Sequence, residues 1–281
     1  MMAVTCLFTL NMRLTLDPSL FWAGALVAAL VCAVLCAKKS NFNARTVYWA
    51  GVLGLIFGMW GGHMLGIFYY GTDGRPWAWL RFWSGGQAQY GGLAAGTIAA
   101  SLFLITRRVP FFLYADALIP SVALGVAIGR IGCFLNGDDF GSLSNQPWAI
   151  RFPAGTEAYA DHFNRGWITP QDSVSLAVHP VQLYATAFWL GLFVALIAWK
   201  STPGERLGIF AIGHGLGRYL EQLFRGDFQA VIGPFSLTQL LSLVVIFIGA
   251  GLLLFLRAGR QIPDAIAIGK HSSRSQPCKV L

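Results

Sequence analysis

The sequence predicts an all-α integral membrane protein with seven transmembrane helices, and three observations predict it. Apolar residues fill 56% of the 281 positions and charged residues only 11%, where soluble chains carry roughly 25% charged residues. Seven windows are predominantly apolar over the about 20 residues that a spanning helix needs. The basic residues collect in alternate connections, as membrane topology demands.

The windows fall at residues 20–37, 47–70, 88–106, 110–135, 181–199, 207–224 and 232–256. The first lacks the basic, apolar, small-residue order of a cleavable signal peptide and is expected to remain as a span. The third, "QYGGLAAGTIAASLFLIT", is rich in glycine, and the sixth, "LGIFAIGHGLGRYLEQLF", carries a histidine, an arginine and a glutamate. Residues 1–260 form one membrane domain, followed by a polar, flexible cytoplasmic tail at 261–281.

Orientation follows from the connections. Lys38, Lys39, Arg45, Arg107, Arg108, Lys200, Arg206, Arg257, Arg260, Lys270, Arg274 and Lys279 fall on one side, and Arg13, Arg75, Arg81, Arg151, Arg165 and Arg225 on the other. The richer side is cytoplasmic by the positive-inside rule, so the N-terminus lies outside and the C-terminus inside. The net charge of +8 is thus topological, and nucleic acid is excluded as a partner. Cys6, Cys32, Cys36, Cys133 and Cys278 form no CxxC pair and no ligand spacing with histidine, so neither a metal site, another cofactor nor a disulfide framework is indicated. No internal repeat supports a transporter of inverted halves.

The connection at 136–178 is long, acidic and external. Its Asp138, Asp139, Glu157, Asp161 and Asp172 outnumber its two arginines, and Trp148, Phe152 and Trp167 suit a membrane interface. Connections of this length are commonly functional.

Two basic residues remain inside spans, Arg130 and Arg218. A rise of about 1.5 Å per residue puts Arg130 roughly 30 Å along its span, near the outer boundary, and Arg218 roughly 16 Å along its own, near the midplane. An arginine at such a depth turns toward protein or a watery cavity. Around Arg218, His214, Glu221, Gln222 and Arg225 lie at helical spacing on one face, a polar stripe through the membrane. In "GRIGCFLNGDDFG", residues 129–141, the glycines allow close backbone approach, and Asn136-Gly137 marks a turn. Because the arginine fork grips phosphate best of all side chains, two of them in an external cavity point to a phospholipid head group.

That stretch resembles the signature GRxGNFxNGE of the prolipoprotein diacylglyceryl transferase family, matching at Gly129, Arg130, Gly132, Phe134, Asn136, Gly137 and Gly141. The resemblance continues in "PWAIRFPAGTEAYADHFNRG", "VHPVQLYATAF", "GRYLEQLFR" and "SLTQLLSL", covering Leu20 to Arg257. It implies a seven-span enzyme of the bacterial inner membrane. Such an enzyme moves a diacylglyceryl group from phosphatidylglycerol to the lipobox cysteine in the signal peptide of a prolipoprotein, making a thioether and releasing glycerol phosphate. It further implies that Arg130 and Arg218 hold the phosphate. Substrate contacts are implied at Asn136, Gly137, Asp138, Gly141, His179, Gln182, Tyr184, Glu221 and Gln222.

The chain departs from the family pattern at several polar positions. Cys133 replaces an asparagine, Asp138 a glutamate and Gln222 a glutamate, while Ala23 stands where the first span has a tyrosine. Tyr90 occupies the place of a histidine and His214 that of a tyrosine, so the two are expected to have exchanged roles. A histidine with an ordinary pKa near 6.5 is a better thiol base than a tyrosine near 10. Two alternatives stay open at this stage: a divergent paralogue, and a phospholipid-binding protein without the chemistry.

Overall fold

The computed structural model describes residues 18–39, 42–71, 79, 88–227 and 230–272. Arg13, Arg75, Arg81, Arg274, Lys279, Cys6 and Cys278 lie outside them, as does the side chain of Ala23. Eight helices run through the described residues: α1 Pro18–Lys39, α2 Ala44–Tyr70, α3 Gln89–Thr106, α4 Phe111–Asn136, α5 Glu157–Asn164, α6 Val181–Ala198, α7 Glu205–Leu223 and α8 Leu237–Ser272. No strand is present among these residues, only isolated β-bridges such as Gly141 with Arg225 and Leu143 with Val178.

Five helices, α2, α3, α4, α6 and α8, are long and apolar enough to cross a membrane, and α1 adds the shorter apolar stretch Leu26–Lys38. The sixth window is helical but more polar, because α7 carries Glu205, Arg206, Arg218 and Glu221 in 19 residues. Helix α8 continues past Gln261, where the sequence reading ends the membrane domain, to Ser272. Large apolar side chains stand outward on the bundle, with Phe247 at 73% and Phe255 at 71% exposure, as expected of a surface whose solvent is lipid.

Helix α4 is central and touches α1, α2, α3, α6 and α7. Helices α2 and α3 pair closely because each presents glycines to the other; a Cβ on Gly96 would stand 2.6 Å from the Gly54 carbonyl oxygen. Such backbone approach drives association in lipid, where water expulsion cannot. That explains why a glycine-rich segment still forms a long helix. Ala123, Ala127, Ala185, Trp189, Leu196 and Phe210 make the core between α4, α6 and α7.

One buried carboxylate ties α7 to α4. Asp116 Oδ2 accepts from Gly204 N and Oδ1 from Leu207 N, both at 2.9 Å, capping amides that a helix start leaves unpaired.

The connection after α4 is an ordered cap. Helix α4 ends at Gly137, whose left-handed φ of 71° lets its N–H reach Cys133 O at 2.9 Å. Phe140, Phe152, Ala158 and Val178 form a core of their own. Helix α5 begins at Thr156, whose hydroxyl accepts from Tyr159 N, and buried Ser175 accepts from Phe152 N at 2.9 Å.

Candidate active site

Arg130 reaches the site from the last turns of α4 and is 94% buried by its 6% exposure. Its guanidinium meets three partners: Asp139, Gln89 Oε1 at 3.1 Å and Glu221 Oε1 at 3.0 Å. Arg218 on α7 approaches the other oxygen of the same carboxylate, Nη1 to Oε2 at 2.7 Å. Sequence spacing assigns the arginines different depths, and in the structure both guanidiniums reach one carboxylate. Asp116 to Arg130 and Gly204 to Arg218 are each fourteen residues, about 21 Å of helix. The two side chains are therefore counted from the shared Asp116 contact, and the ends of the apolar windows do not set their level.

Arg225, just beyond α7, pairs with Asp139 and with Asp227, Nε to Oδ1 at 2.6 Å. Asp139 thus bridges Arg130 and Arg225 from a left-handed backbone, φ 54°, uncommon outside glycine. The acid that meets the arginines is Asp139, and Asp138 turns away. Asp138 accepts from Asn136 Nδ2 at 2.8 Å, and its backbone oxygen accepts from Gln182 Nε2 at 2.7 Å. Burial pushes the Asp138 carboxyl up from its ordinary range. Burial acts on Asp139 the same way, but the guanidiniums of Arg225, Arg130 and Arg218 overcome it and hold that carboxyl well below. Neighbouring aspartates are driven apart by their surroundings alone.

His214 lies one turn before Arg218, almost fully buried and packed by the rings of Tyr90, Trp189 and Phe210, with centroids at 5.6, 5.1 and 5.6 Å. Neither ring nitrogen has a hydrogen-bond partner among the described residues. The Tyr90 hydroxyl lies 2.6 Å from Ser242 Oγ, and Ser242 itself donates to Thr238 O at 2.7 Å. A serine has one hydroxyl proton, so Tyr90 is the donor of the pair. Gln222 is buried on α7 beside Glu221, yet it is Glu221 that the two arginines share.

The remaining sequence candidates form a rim. His179 Nδ1 lies 3.3 Å from the Tyr184 hydroxyl, which accepts from Trp148 Nε1 at 2.6 Å, and the His179 ring meets Phe224 edge-on at 5.6 Å. Gly141 joins this rim to the centre: a Cβ there would collide with the His179 carbonyl oxygen and stand 2.7 Å from Val181 Cγ2.

Cys133, Asp138 and Asp139 offer three ligand atoms within 4.8 Å of one another. Both oxygens of Asp139 are taken by guanidiniums, so a metal cation placed there would meet Arg130 and Arg225 at close range.

Sequence reasoning left Asp139, Gln89 and Ser242 without roles. The doubled acid of "NGDDFG", the glutamine preceding Tyr90 and the serine of "SLTQLLSL" were their visible signals.

A family model described as prolipoprotein diacylglyceryl transferase matches residues 18–255. The chain belongs to this family. It is 32% identical over 193 residues to the phosphatidylglycerol–prolipoprotein diacylglyceryl transferase of Thermosynechococcus vestitus, covering 66% of this chain and 67% of that one. The protein of the same name from Ruegeria pomeroyi is 34% identical over 231 residues, 74% of each chain. That from Corynebacterium diphtheriae is 28% identical over 253 residues, 85% of this chain and 87% of its own. The membership extends over α1 to most of α8, so Arg130, Arg218, His214 and Tyr90 all lie within the family's core.

Proposed function

We propose that this chain transfers a diacylglyceryl group from phosphatidylglycerol to the lipobox cysteine thiol of a prolipoprotein, at the outer face of a bacterial inner membrane. The observation that carries the reading is the convergence of Arg130 and Arg218 on one buried position, beside a histidine whose two ring nitrogens are unpaired. Buried polar groups are nearly always bonded, and here the unbonded ones include His214 Nδ1 and Nε2, Arg218 Nε, Gln182 Oε1 and Asp138 Oδ1. Groups so placed await a polar ligand.

In the reaction the thiol sulfur attacks the glycerol carbon that bears the phosphate ester. The C–S bond forms as the C–O bond breaks, and the electron pair leaves with the phosphate oxygen. Arg130 and Arg218 stabilise that charge with preorganised donors in a dry site. His214 takes the thiol proton, which then passes to the leaving phosphate, so glycerol phosphate departs and the site returns to its starting state. Tyr90 has its hydroxyl committed to Ser242 and supports the His214 ring, consistent with exchanged roles. Asn136, Gly137, Asp138, Gly141, His179, Gln182 and Tyr184 shape the head-group and peptide side, with Glu221 and Gln222 beneath.

In this reading α1 to α4 and α6 to α8 are the seven spans, and the 137–180 cap faces outward to receive the lipobox segment. The test is transfer of labelled diacylglyceryl from phosphatidylglycerol to a lipobox peptide by the purified protein. Thioether product is expected, and its absence while lipid co-purifies would favour the non-catalytic lipid-binding alternative. His214→Phe is expected to lower turnover by about 100-fold or more, as general bases do; full activity would end the exchange of roles.

A further inference from the structure

Glu221 is the odd member of the charged centre. Asp139 and Asp227 receive in-line hydrogen bonds from the guanidiniums they pair with. Glu221 lies within ion-pair distance of Arg130 and Arg218, yet neither of its oxygens accepts a well-formed hydrogen bond. The reason is geometric. Its carboxylate hangs from the same helix as Arg218, three residues on, and lies between two forks that come from different helices. It is held by charge and fits badly.

Two arginine forks around one buried point make a phosphate site, and Glu221 occupies that point. We propose that Glu221 is a built-in competitor for the phosphate: it fills the anion position between Arg130 and Arg218, gives way to the phosphodiester of the lipid, and returns to expel the phosphate product. This rests on the reading of the site as a phosphatidylglycerol transferase site.

The competitor answers a difficulty of the reaction. The substrate phosphodiester carries one negative charge, whereas the phosphomonoester product, once the transferred proton has equilibrated, carries about 1.5 to 2 at neutral pH. Arginines that bind the substrate well therefore bind the product better. Without a resident anion the site would be trapped by glycerol phosphate, and release would limit turnover. A carboxylate tethered beside the forks acts at high effective concentration, yet its poor geometry keeps it from excluding the lipid.

The test measures binding of glycerol phosphate to the purified full-length protein in phosphatidylcholine nanodiscs by calorimetry, together with transfer kinetics. Glu221→Gln is expected to bind glycerol phosphate at least about tenfold more tightly, the size of one charge-assisted contact. It should also show a lower KM for phosphatidylglycerol and a lower kcat. Glu221→Asp retracts the carboxylate by one methylene and is expected to fall between, which keeps the test available if the glutamine variant does not insert. If Glu221 served only to hold the two arginines in place, its loss would loosen product binding. Unchanged or weaker affinity in these variants, with wild-type transfer intact, overturns the competitor and leaves the functional reading standing. Tighter binding without any wild-type transfer supports the competitor and overturns the transferase reading. No binding by any form overturns the competitor, and the wild-type transfer rate then decides the functional reading.

Discussion

The buried histidine of the cap, His162, and that of the centre, His214, are treated in opposite ways. In the cap, buried His162 accepts from Leu176 N at 3.2 Å. Ser175 donates to Leu176 O at 2.8 Å while accepting from Phe152 N. In the centre, His214, Arg218 and Glu221 keep unbonded nitrogens and oxygens at comparable burial. The buried polar side chains His162 and Ser175 close on the cap's own backbone and fix a shape. Those of the centre stay open for a ligand, and the fold carries the cost of leaving them so.

Variants can break this contrast. The largest effect is expected from Arg218→Met with Glu221→Leu, which replaces a buried ion pair by apolar bulk. Such exchanges are often neutral or stabilising, so the protein should insert and purify while transfer from labelled phosphatidylglycerol falls by about 100-fold or more. Activity within a few-fold of wild type would make Arg218 scaffolding. Arg130→Lys should cost about 10- to 100-fold in turnover, since lysine keeps the charge but cannot address Asp139, Gln89 and Glu221 together. Wild-type rates would leave Arg130 as a structural member of the buried ion-pair cluster.

The cap should respond in stability and not in chemistry. Ser175→Ala leaves the buried Phe152 N–H without its acceptor, a loss of about 1–3 kcal/mol. It should lower the melting temperature while transfer per folded molecule stays within about twofold. The smallest effect concerns pH. Burial holds the His162 imidazole below its ordinary range, so the unfolded cap binds a proton more readily than the folded one. The stabilisation is full above about pH 6.5 and is lost as pH falls through that value toward the folded pKa. Amide protection at Leu176, corrected for intrinsic exchange, should decline from pH 7.5 to 5.5 in the wild type and stay flatter in His162→Gln.

What the sequence disclosed follows the same division. The windows 88–106 and 110–135 lie within a residue of α3 and α4, because apolar runs and their polar ends are properties of one segment. The stripe of His214, Arg218 and Glu221 was legible for the same reason, being the period of a single helix, whereas Arg225, expected to continue it, lies beyond the end of α7. Asp139 was not legible, since its role depends on a left-handed turn that aims it at Arg130 of α4 and at Arg225 beyond α7. Gln89 and Ser242 come to the site from α3 and α8, and no local pattern records which helices meet. Helix α5 had visible signals, Thr156 before and Gly166 after, but the proline-rich connection around it masked them.

Asp116 makes the site depend on length. With its two oxygens on Gly204 and Leu207, the two arms that end in Arg130 and Arg218 start from one common mark and run the same fourteen residues. One residue inserted in either arm would advance that arginine by about 1.5 Å and turn it about 100° around its helix, so the two forks would no longer face one point although every site residue were still present. The reach of the phosphate grip is therefore measured from Asp116, fourteen residues of helix away from Arg130.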